Sequence, residues 1–315
     1  MAIKTVFMGT PDFSVNIVQA LVDNGFDVTA VVTKQDKEAG RGKKITSSPV
    51  KLWAQEKGID IYQPKTARAP EFIELMENIA PQLIVTAAIG LIIPKEILDI
   101  PQYGCINVHA SLLPQYRGAS PIQQSLLNGD TKTGVTVMYM SEQIDDGDII
   151  FAKELDILED DNCGTLFDKL AVLGGQAMGD LARVLAEGKP MGTPQDHSRA
   201  TYCKKIPKEL GNIDWSMDGK AIVNLIRGMT PSPGAYTFLN GKRIKIVSAK
   251  SRVACTGAHP GSISAENKLA VTVACGDGFV DVLQLQPEGK SVQSARDFLN
   301  GNKITSGTVF ERNIN

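Results

Sequence analysis

Residues 3–32, IKTVFMGTPDFSVNIVQALVDNGFDVTAVV, decide the fold class of the first part of the chain. The apolar run 3–8 has the length and composition of a fully buried strand, and a glycine ends it. Apolar residues then recur at the spacing of one helix face, and these are Phe13, Ile17 and Leu21. Gly25 indicates where that helix ends, and residues 28–32 form a second apolar run of strand length. The stretch therefore predicts a β-α-β unit.

The same alternation continues as far as about residue 130. Helices are predicted at 48–58, 70–79 and 120–129, and two of them start with Ser-Pro, a capping residue followed by a first-turn proline. Apolar runs at 83–87 and 105–108 predict further buried strands. Strands that alternate with helices of about ten residues form a mostly parallel sheet. We therefore predict a Rossmann-like α/β fold for this part of the chain.

The pattern changes in the second half of the chain. Strands are predicted at 135–140 and 149–155, and a long helix at 165–185. From about residue 207 the predicted strands are short and separated by Gly-containing turns; they are 235–239, 243–249, 261–264, 270–274 and 279–285. Five short strands at this spacing predict a small OB-like β-barrel.

These patterns divide the chain into three parts. We predict a catalytic domain at 1–187 and a barrel domain at 207–315, joined by a linker at 188–206 that is rich in glycine and proline. A length of 315 residues agrees with two domains. The barrel region from residue 208 onward carries 13 Lys and Arg against 9 Asp and Glu, a net charge of +4 in a chain whose total is −2. This mild basic excess is consistent with an anionic partner.

Composition limits the class of protein and its location. The chain is 43% hydrophobic and 22% charged, which is typical of a globular protein. It has no apolar run of about 18 residues, so no membrane span is predicted, and its N-terminal apolar stretch is too short for a signal peptide. The five cysteines are scattered without CxxC spacing, so we expect reduced thiols and no zinc site. We therefore expect a cytoplasmic protein.

The segment CINVHASLLP, residues 105–114, carries the first candidate site. Alternate residues of a strand share a face, so Asn107 and His109 are expected to project together. His109 would lie at the carboxyl end of the strand, where open parallel sheets bind their ligands. The alternative is structural, with His109 capping the strand or bonding a backbone carbonyl.

The turn Asp145-Asp-Gly-Asp148 is the second candidate. Three carboxylates within four residues suit a solvated hairpin turn or a weak cation site. A functional role requires only one of them to fold inward beside a histidine. The residues alone leave both interpretations open.

Taken together, several motifs resemble the folate-dependent formyltransferases. They are Asn107-x-His109, Ser111-Leu-Leu-Pro114, Tyr116-Arg-Gly-Ala-Ser-Pro121 and Ile144-Asp-Asp-Gly-Asp148. Other segments are similar to the members that act on methionyl-tRNA; these are Phe7–Phe13, Ala39–Lys44 with Ser48–Lys51, Ile213–Ser216 and Leu283–Pro287. The resemblance covers nearly the whole chain in order and spacing.

The resemblance implies that Asn107, His109 and Asp145 are the catalytic residues. In this family a formyl group passes from N10 of a folate to an amine through a tetrahedral oxyanion. An amide and an imidazole can stabilise that oxyanion, and an imidazole can also move protons near neutral pH. The carboxylate would orient the histidine. The acceptor amine is itself the nucleophile, so neither an enzyme thiol nor a metal is required.

The resemblance also implies the co-substrate site. Ser111, Leu112, Leu113 and Pro114 would form the turn that binds 10-formyltetrahydrofolate. Ile89, Gly90 and Leu91 would form another wall of the apolar slot that a pteridine needs. Family members usually carry an aromatic residue at Ile89 and commonly a basic one at Gln115. At both positions this chain departs from the pattern.

Residues 34–51 form a basic segment with six Lys and Arg against two acidic residues. Taken alone it suits a solvated charged loop, and its glycine spacing does not fit a P-loop. The resemblance implies that it binds the tRNA acceptor stem through Arg41, Lys43 and Lys44. It also implies further backbone contacts from the barrel, through Lys242, Arg243 and Lys245.

The implied reaction is formyl transfer from 10-formyltetrahydrofolate to the α-amino group of methionyl initiator tRNA, by a monomeric enzyme. Alternatives within the fold are transfer to glycinamide ribonucleotide or to a nucleotide sugar, and hydrolysis of formyl-folate. An alternative from another class is a folate- or RNA-binding protein without catalysis. All the enzymatic alternatives would keep Asn107, His109 and Asp145.

Overall fold

A computed structural model describes residues 2–39, 44–255, 257–264, 267–302, 304–305 and 308–312. The chain forms two compact units. The first comprises residues 1–121, 132–156 and 167–204, and the second comprises 122–131, 157–166 and 205–315.

The strands and helices of the described chain are numbered in chain order. The strands are β1 (Lys4–Gly9), β2 (Asp27–Val32), β3 (Lys37–Ala39), β4 (Lys44–Thr46), β5 (Asp60–Tyr62), β6 (Leu83–Ala87), β7 (Cys105–His109), β8 (Arg117–Gly118), β9 (Lys132–Tyr139), β10 (Ile149–Asp156), β11 (Tyr202–Cys203), β12 (Ala235–Leu239), β13 (Lys242–Val253), β14 (Ile263–Ser264), β15 (Val271–Cys275), β16 (Gly278–Pro287) and β17 (Gln293–Ser294). The helices are α1 (Asp12–Asp23), α2 (Pro49–Lys57), α3 (Pro70–Ile79), α4 (Lys95–Leu98), α5 (Pro121–Asn128), α6 (Cys163–Ala186), α7 (Gly219–Met229) and α8 (Ala295–Gly301).

A seven-stranded sheet forms the centre of the first unit, in the order β10-β9-β7-β6-β1-β2-β5. The five strands from β7 to β5 are parallel, whereas β9 runs antiparallel to β7 and β10 antiparallel to β9. Strand β6 is buried along its whole length, as expected for a strand with both faces covered. The predicted mostly parallel α/β sheet is confirmed.

The turn from β1 into α1 fixes the carboxyl edge of this sheet. A side chain at Gly9 would place its Cβ 2.6 Å from Cβ of Ser14, so only glycine allows this close approach. The Ser14 hydroxyl donates a 2.7 Å hydrogen bond to the carbonyl of Ala87, the last residue of β6. The helix buries Phe13, Ile17 and Leu21, the three residues whose spacing predicted it. The loop after β6 therefore starts from a fixed point.

Some short elements carry no periodic pattern and were not predicted. Strands β3 and β4 form a small antiparallel hairpin, and β8 pairs with β11 in a two-stranded parallel ladder. A strand of two residues is too short to show an alternation of apolar and polar residues, so it cannot be predicted from its sequence. The β8–β11 ladder holds Arg117 and Gly118 beside the candidate site.

The second unit contains an antiparallel sheet of six strands. Its order is β12-β13-β16-β15-β14, and β17 pairs with β16 outside this path. The C-terminal segment makes bridges near both ends of that order, Phe238 with Glu311 and Ser262 with Val309. Backbone bonds from residues 308–311 therefore draw the sheet toward closure, and the predicted OB-like β-barrel domain is confirmed.

Trp215 and Phe310 form the aromatic centre of this second unit. Their rings are stacked, with centroids 5.8 Å apart, and Phe310 is 2% exposed. The Trp215 indole N–H donates a 3.1 Å hydrogen bond to the Thr237 hydroxyl. A buried tryptophan is expected to have a hydrogen-bond partner for its indole N–H. Trp215 is therefore part of the domain core.

Within the described residues, the helices include none with both the length and the apolar character needed to cross a membrane.

We expect Phe310→Ala to destabilise the barrel unit by about 3–5 kcal/mol, because it opens a cavity against Trp215 and loosens the closing segment. Urea denaturation of the full chain, followed by Trp215 fluorescence in a Trp53→Phe background, measures the effect. Val309→Ala is the matched control, because Val309 is 37% exposed and its loss should cost under about 1 kcal/mol. Equal costs for the two variants would contradict the role of Phe310.

Candidate active site

Asn107 and His109 lie on β7, and both side chains face the carboxylate of Asp145. The Asn107 amide Nδ2 donates to Asp145 Oδ1 at 3.3 Å, and His109 Nδ1 lies 3.6 Å from Asp145 Oδ2. The expectation that the two strand residues project from one face is confirmed. The structure thus brings the three residues of the sequence hypothesis together at the carboxyl end of β7.

The Asn107 amide has a defined orientation. The Thr86 hydroxyl, on the neighbouring strand β6, donates a 2.8 Å hydrogen bond to Asn107 Oδ1. This bond leaves Nδ2 directed toward Asp145. An amide nitrogen carries two hydrogens, so the second remains for an oxygen atom of a bound molecule.

His109 combines the structural and the functional alternatives. Its Nε2 lies 2.9 Å from the carbonyl oxygen of Tyr116, and because a carbonyl only accepts, Nε2 carries the hydrogen. The ring is therefore held by the backbone, while Nδ1 faces the Asp145 carboxylate. The residue is 6% exposed, so its orientation is fixed by packing as well.

Asp145 is the one carboxylate of its turn that points inward. Its backbone has φ +51°, a left-handed conformation that costs a non-glycine residue about 1 kcal/mol. Its Oδ2 accepts a 2.8 Å hydrogen bond from the Gly118 backbone N–H. Asp146 instead accepts a hydrogen bond from Ser141, and Asp148 is exposed. The question left open by the sequence is thus answered in favour of an inward carboxylate.

The predicted folate turn is held by its own buried polar groups. The Ser111 hydroxyl is fully buried and donates to the Gln115 carbonyl at 2.7 Å. The Thr136 hydroxyl donates to the Ser111 carbonyl at 2.7 Å and accepts from the Leu113 N–H at 3.1 Å. Ser111 therefore shapes the turn, with Leu113 buried and Leu112 and Pro114 partly exposed.

The second predicted wall of the slot lies after β6. Ile89 is 5% exposed, Leu91 is partly buried and Gly90 is exposed. A side chain at Gly90, whose φ is +61°, would meet the Lys34 ammonium at 2.7 Å. Ile89 is itself an aliphatic side chain of the core.

Two cysteines lie close to the site, and burial keeps both in the thiol form. Burial raises the pKa of Cys105 to about 12. Burial also raises the pKa of Cys203, whose Sγ lies 3.4 Å from the Tyr116 carbonyl. Neither is suited to act as a thiolate nucleophile. Among the described residues, no group of three or more His, Cys, Asp or Glu is arranged to hold a metal ion.

The predicted tRNA residues are described only in part. Arg41 and Lys43 lie outside the described residues, and Lys44 is described only as part of β4. On β13, Lys242 is exposed, and the Arg243 guanidinium lies 3.7 Å from the ring centroid of Tyr236. Lys245 donates to the Pro231 carbonyl, and burial lowers its pKa.

Two functional candidates were missed from the sequence. Thr86 could have been found, because it occupies the carboxyl half of the strand next to β7. Gln195, which is 5% exposed and bonds the backbone of the Asp145 turn, carried no signal. It lies in a segment poor in apolar residues.

Comparison with known proteins places both halves of the chain in one family. Residues 3–181 match the formyl transferase family, and residues 205–303 match the formyl transferase, C-terminal domain. The methionyl-tRNA formyltransferase of Bacillus subtilis is 46% identical over 97% of this chain and 97% of that relative. The methionyl-tRNA formyltransferase of Caldanaerobacter subterraneus subsp. tengcongensis is 44% identical over 98% of this chain and 100% of the relative.

A solved structure shares the fold. HypX from Aquifex aeolicus, in complex with tetrahydrofolic acid, has a TM-score of 0.63 and 18% sequence identity, and the match covers 95% of this chain. It covers 47% of HypX, so the chain spans about half the length of that protein.

Proposed function

The chain belongs to the formyltransferase family, and we propose that it transfers the formyl group of 10-formyltetrahydrofolate to the α-amino group of methionyl initiator tRNA. The product would be N-formylmethionyl-tRNA for translation initiation. The observation that carries this proposal is the match to methionyl-tRNA formyltransferases over nearly the whole chain, 44% identical over 309 residues in one relative. The same match favours a tRNA acceptor over glycinamide ribonucleotide, a nucleotide sugar or water.

Folate is the proposed formyl donor. The family match supports it, and the structurally similar HypX binds tetrahydrofolic acid. We propose that the pteridine lies between the turn Ser111-Leu112-Leu113-Pro114 and the segment Ile89-Gly90-Leu91. The hydrogen bonds that hold the turn keep its backbone groups in place for the ring edge.

Asn107, His109 and Asp145 are the proposed catalytic residues. The α-amine attacks the formyl carbon, a C–N bond forms, and the carbonyl oxygen becomes an oxyanion. The free hydrogen of the Asn107 amide is placed to bond that oxygen, and one such donor is worth about 3–4 kcal/mol. The proton lost by the amine passes through the His109–Asp145 pair to N10, as the bond from N10 to the formyl carbon breaks and tetrahydrofolate leaves.

The tRNA would be bound by basic residues of both parts of the sequence. We propose Arg41, Lys43 and Lys44 for the acceptor stem, and Lys242, Arg243 and Lys245 for the backbone of the tRNA. Arginine suits the first task because its guanidinium binds phosphate or a base edge with two parallel bonds. In this proposal residues 1–187 catalyse, residues 188–206 link and residues 207–315 bind tRNA, in a monomeric, cytoplasmic enzyme.

One assay tests the acceptor. Charged initiator tRNA, free methionine, glycinamide ribonucleotide and an amino-sugar nucleotide are each incubated with the protein and 10-formyltetrahydrofolate. The proposal expects rapid formylation of the charged tRNA alone. Equal or faster formylation of another acceptor, or release of formate without acceptor, would replace the proposed function by one of the alternatives.

We expect His109→Ala to reduce the rate of formyl transfer at saturating substrates by about 10²–10⁴-fold, the usual effect of losing an acid–base group. Folate and tRNA dissociation constants should change less than about twofold, because His109 is only 6% exposed and so offers little surface for binding. His259→Ala is the matched control, since His259 is exposed in the second unit. A near-normal rate for His109→Ala would refute the catalytic assignment.

We expect Arg41→Ala to lower kcat/KM for the tRNA by about 5- to 150-fold and to leave the Kd for folate unchanged, because a bidentate contact is worth about 1–3 kcal/mol. Steady-state formylation and folate titration measure the two quantities. Lys37→Ala, an exposed residue of β3, serves as control. Equal losses in tRNA and folate binding would indicate a folding defect rather than a lost tRNA contact.

A further inference from the structure

Arg117 is an almost completely buried arginine next to the active site. It is 2% exposed, and its Nε and Nη2 donate to Gln195 Oε1 at 3.2 and 2.7 Å. Nη2 also lies 3.2 Å from His197 Nδ1, and Nη1 lies 3.4 Å from the Tyr202 hydroxyl. Burying a guanidinium costs free energy unless its N–H groups are hydrogen-bonded. Two of the hydrogen bonds of this guanidinium go to one amide oxygen, which suggests that the pair has a specific role.

Those two bonds set the orientation of the Gln195 amide. Because a guanidinium only donates, the side-chain oxygen of Gln195 must face it, and the nitrogen must face the opposite way. On that side Nε2 donates to the carbonyls of Asp145 and Gly147, at 3.0 and 2.8 Å. Both the oxygen and the nitrogen of the Gln195 amide are thus hydrogen-bonded. If the amide were flipped, its N–H groups would face the donors of Arg117 and its oxygen would face the carbonyls of Asp145 and Gly147.

The two carbonyls belong to the strained part of the Asp145 loop (residues 141–148). Asp145 has φ +51°, and only the surrounding structure can hold a non-glycine residue there. Gln195 bonds the carbonyl of Asp145 itself and that of Gly147, one on each side of Asp146. The amide thus bridges the loop where the backbone must turn for the Asp145 carboxylate to point inward.

The backbone next to Arg117 also contacts His109 and Asp145 directly. Its neighbour Tyr116 gives the carbonyl that holds His109 Nε2, and its neighbour Gly118 gives the N–H that bonds Asp145 Oδ2. Its own N–H donates to the Thr201 carbonyl at 2.9 Å, next to the β8–β11 ladder. The side chain and the backbone of this short strand therefore act on one catalytic pair.

We propose that Arg117 and Gln195 are positioning residues for formyl transfer: the buried guanidinium orients the Gln195 amide, which holds the Asp145 loop so that its carboxylate faces Asn107 and His109. This inference rests on the proposed function for its kinetic meaning. It assigns a role to a residue in the segment between the two predicted domains.

Gln195→Glu separates this role from simple packing. Glutamate keeps an acceptor for Arg117 and adds an ion pair, but it removes both N–H bonds to the loop carbonyls. We expect kcat for formylation of charged initiator tRNA to fall 10- to 100-fold. We expect KM for tRNA and for 10-formyltetrahydrofolate to stay within threefold, and Tm not to fall by more than a few degrees. Gln143→Glu makes the same chemical change at an exposed position of the same loop and should leave kcat within twofold.

A double variant tests whether Gln195 acts through Asp145. If it does, Asp145→Ala already removes what Gln195 holds in place, so Gln195→Glu/Asp145→Ala should be no slower than Asp145→Ala alone. A purely structural role would instead add its loss to that of Asp145→Ala. Independent, multiplying losses overturn the proposal, and so does a normal kcat in Gln195→Glu.

A crystal structure of Gln195→Glu gives a readout that needs no activity. We expect the loop to leave the left-handed conformation at residue 145 and His109 Nδ1 to separate from the carboxylate. An unchanged loop overturns the positioning proposal even if formyl transfer is established. A wild-type chain that formylates no methionyl-tRNA overturns the proposed function instead, and the crystallographic comparison then still decides whether Gln195 holds Asp145.

Discussion

The site depends on the hydrogen bonds that hold the carboxylate of Asp145 inward. This carboxylate accepts bonds from the Asn107 amide and the Gly118 N–H, and it faces His109 Nδ1. A carboxylate in a surface turn is ordinarily exposed to solvent, as Asp148 is. The structure reverses this preference by bonding the backbone of the loop as well as the side chain. Strain and burial of polar groups at one point are expected where a site must be organised before its substrates arrive.

The sheet supplies the rest of that organisation. Strands β6 and β7 are parallel neighbours with Thr86 opposite Asn107, so a strand-to-strand hydrogen bond sets the amide. The bond from Ser14 to Ala87 fixes the end of β6, from which the proposed folate wall begins. The side chains of Asn107 and His109, both proposed as catalytic, therefore rest on a strand of the central sheet. Loops supply the Asp145 carboxylate and the two walls of the proposed folate slot. Rigid elements hold reacting groups more precisely than loops do.

Much of this could be read from the sequence, and the remainder has physical reasons for being hidden. Continuous apolar runs predicted the buried strands of the parallel sheet, and a four-residue spacing together with Ser-Pro starts predicted its helices. The two-residue period of a strand placed Asn107 and His109 on one face. No periodicity distinguishes Asp145 from Asp146, so its choice required the family resemblance. Helix α7 was not predicted, because only strands were expected in the barrel region. Its sequence does indicate a helix, with Asp218 as the N-cap and apolar residues at helical spacing; these are Ile222, Leu225, Ile226 and Met229. Gln195 could not be found, because its partners are backbone carbonyls about fifty residues away in sequence.

The most direct test of the account is the single-turnover rate of formyl transfer in Asp145→Asn. Asparagine has the same shape and tolerates the left-handed backbone, so the change removes the charge and turns one of the two accepting oxygens into an N–H donor. The account predicts a rate at least about a hundredfold lower, with folate and tRNA dissociation constants unchanged, because the His109 pair loses its carboxylate. A rate within a factor of two of the wild type would contradict the claim that this carboxylate organises the site.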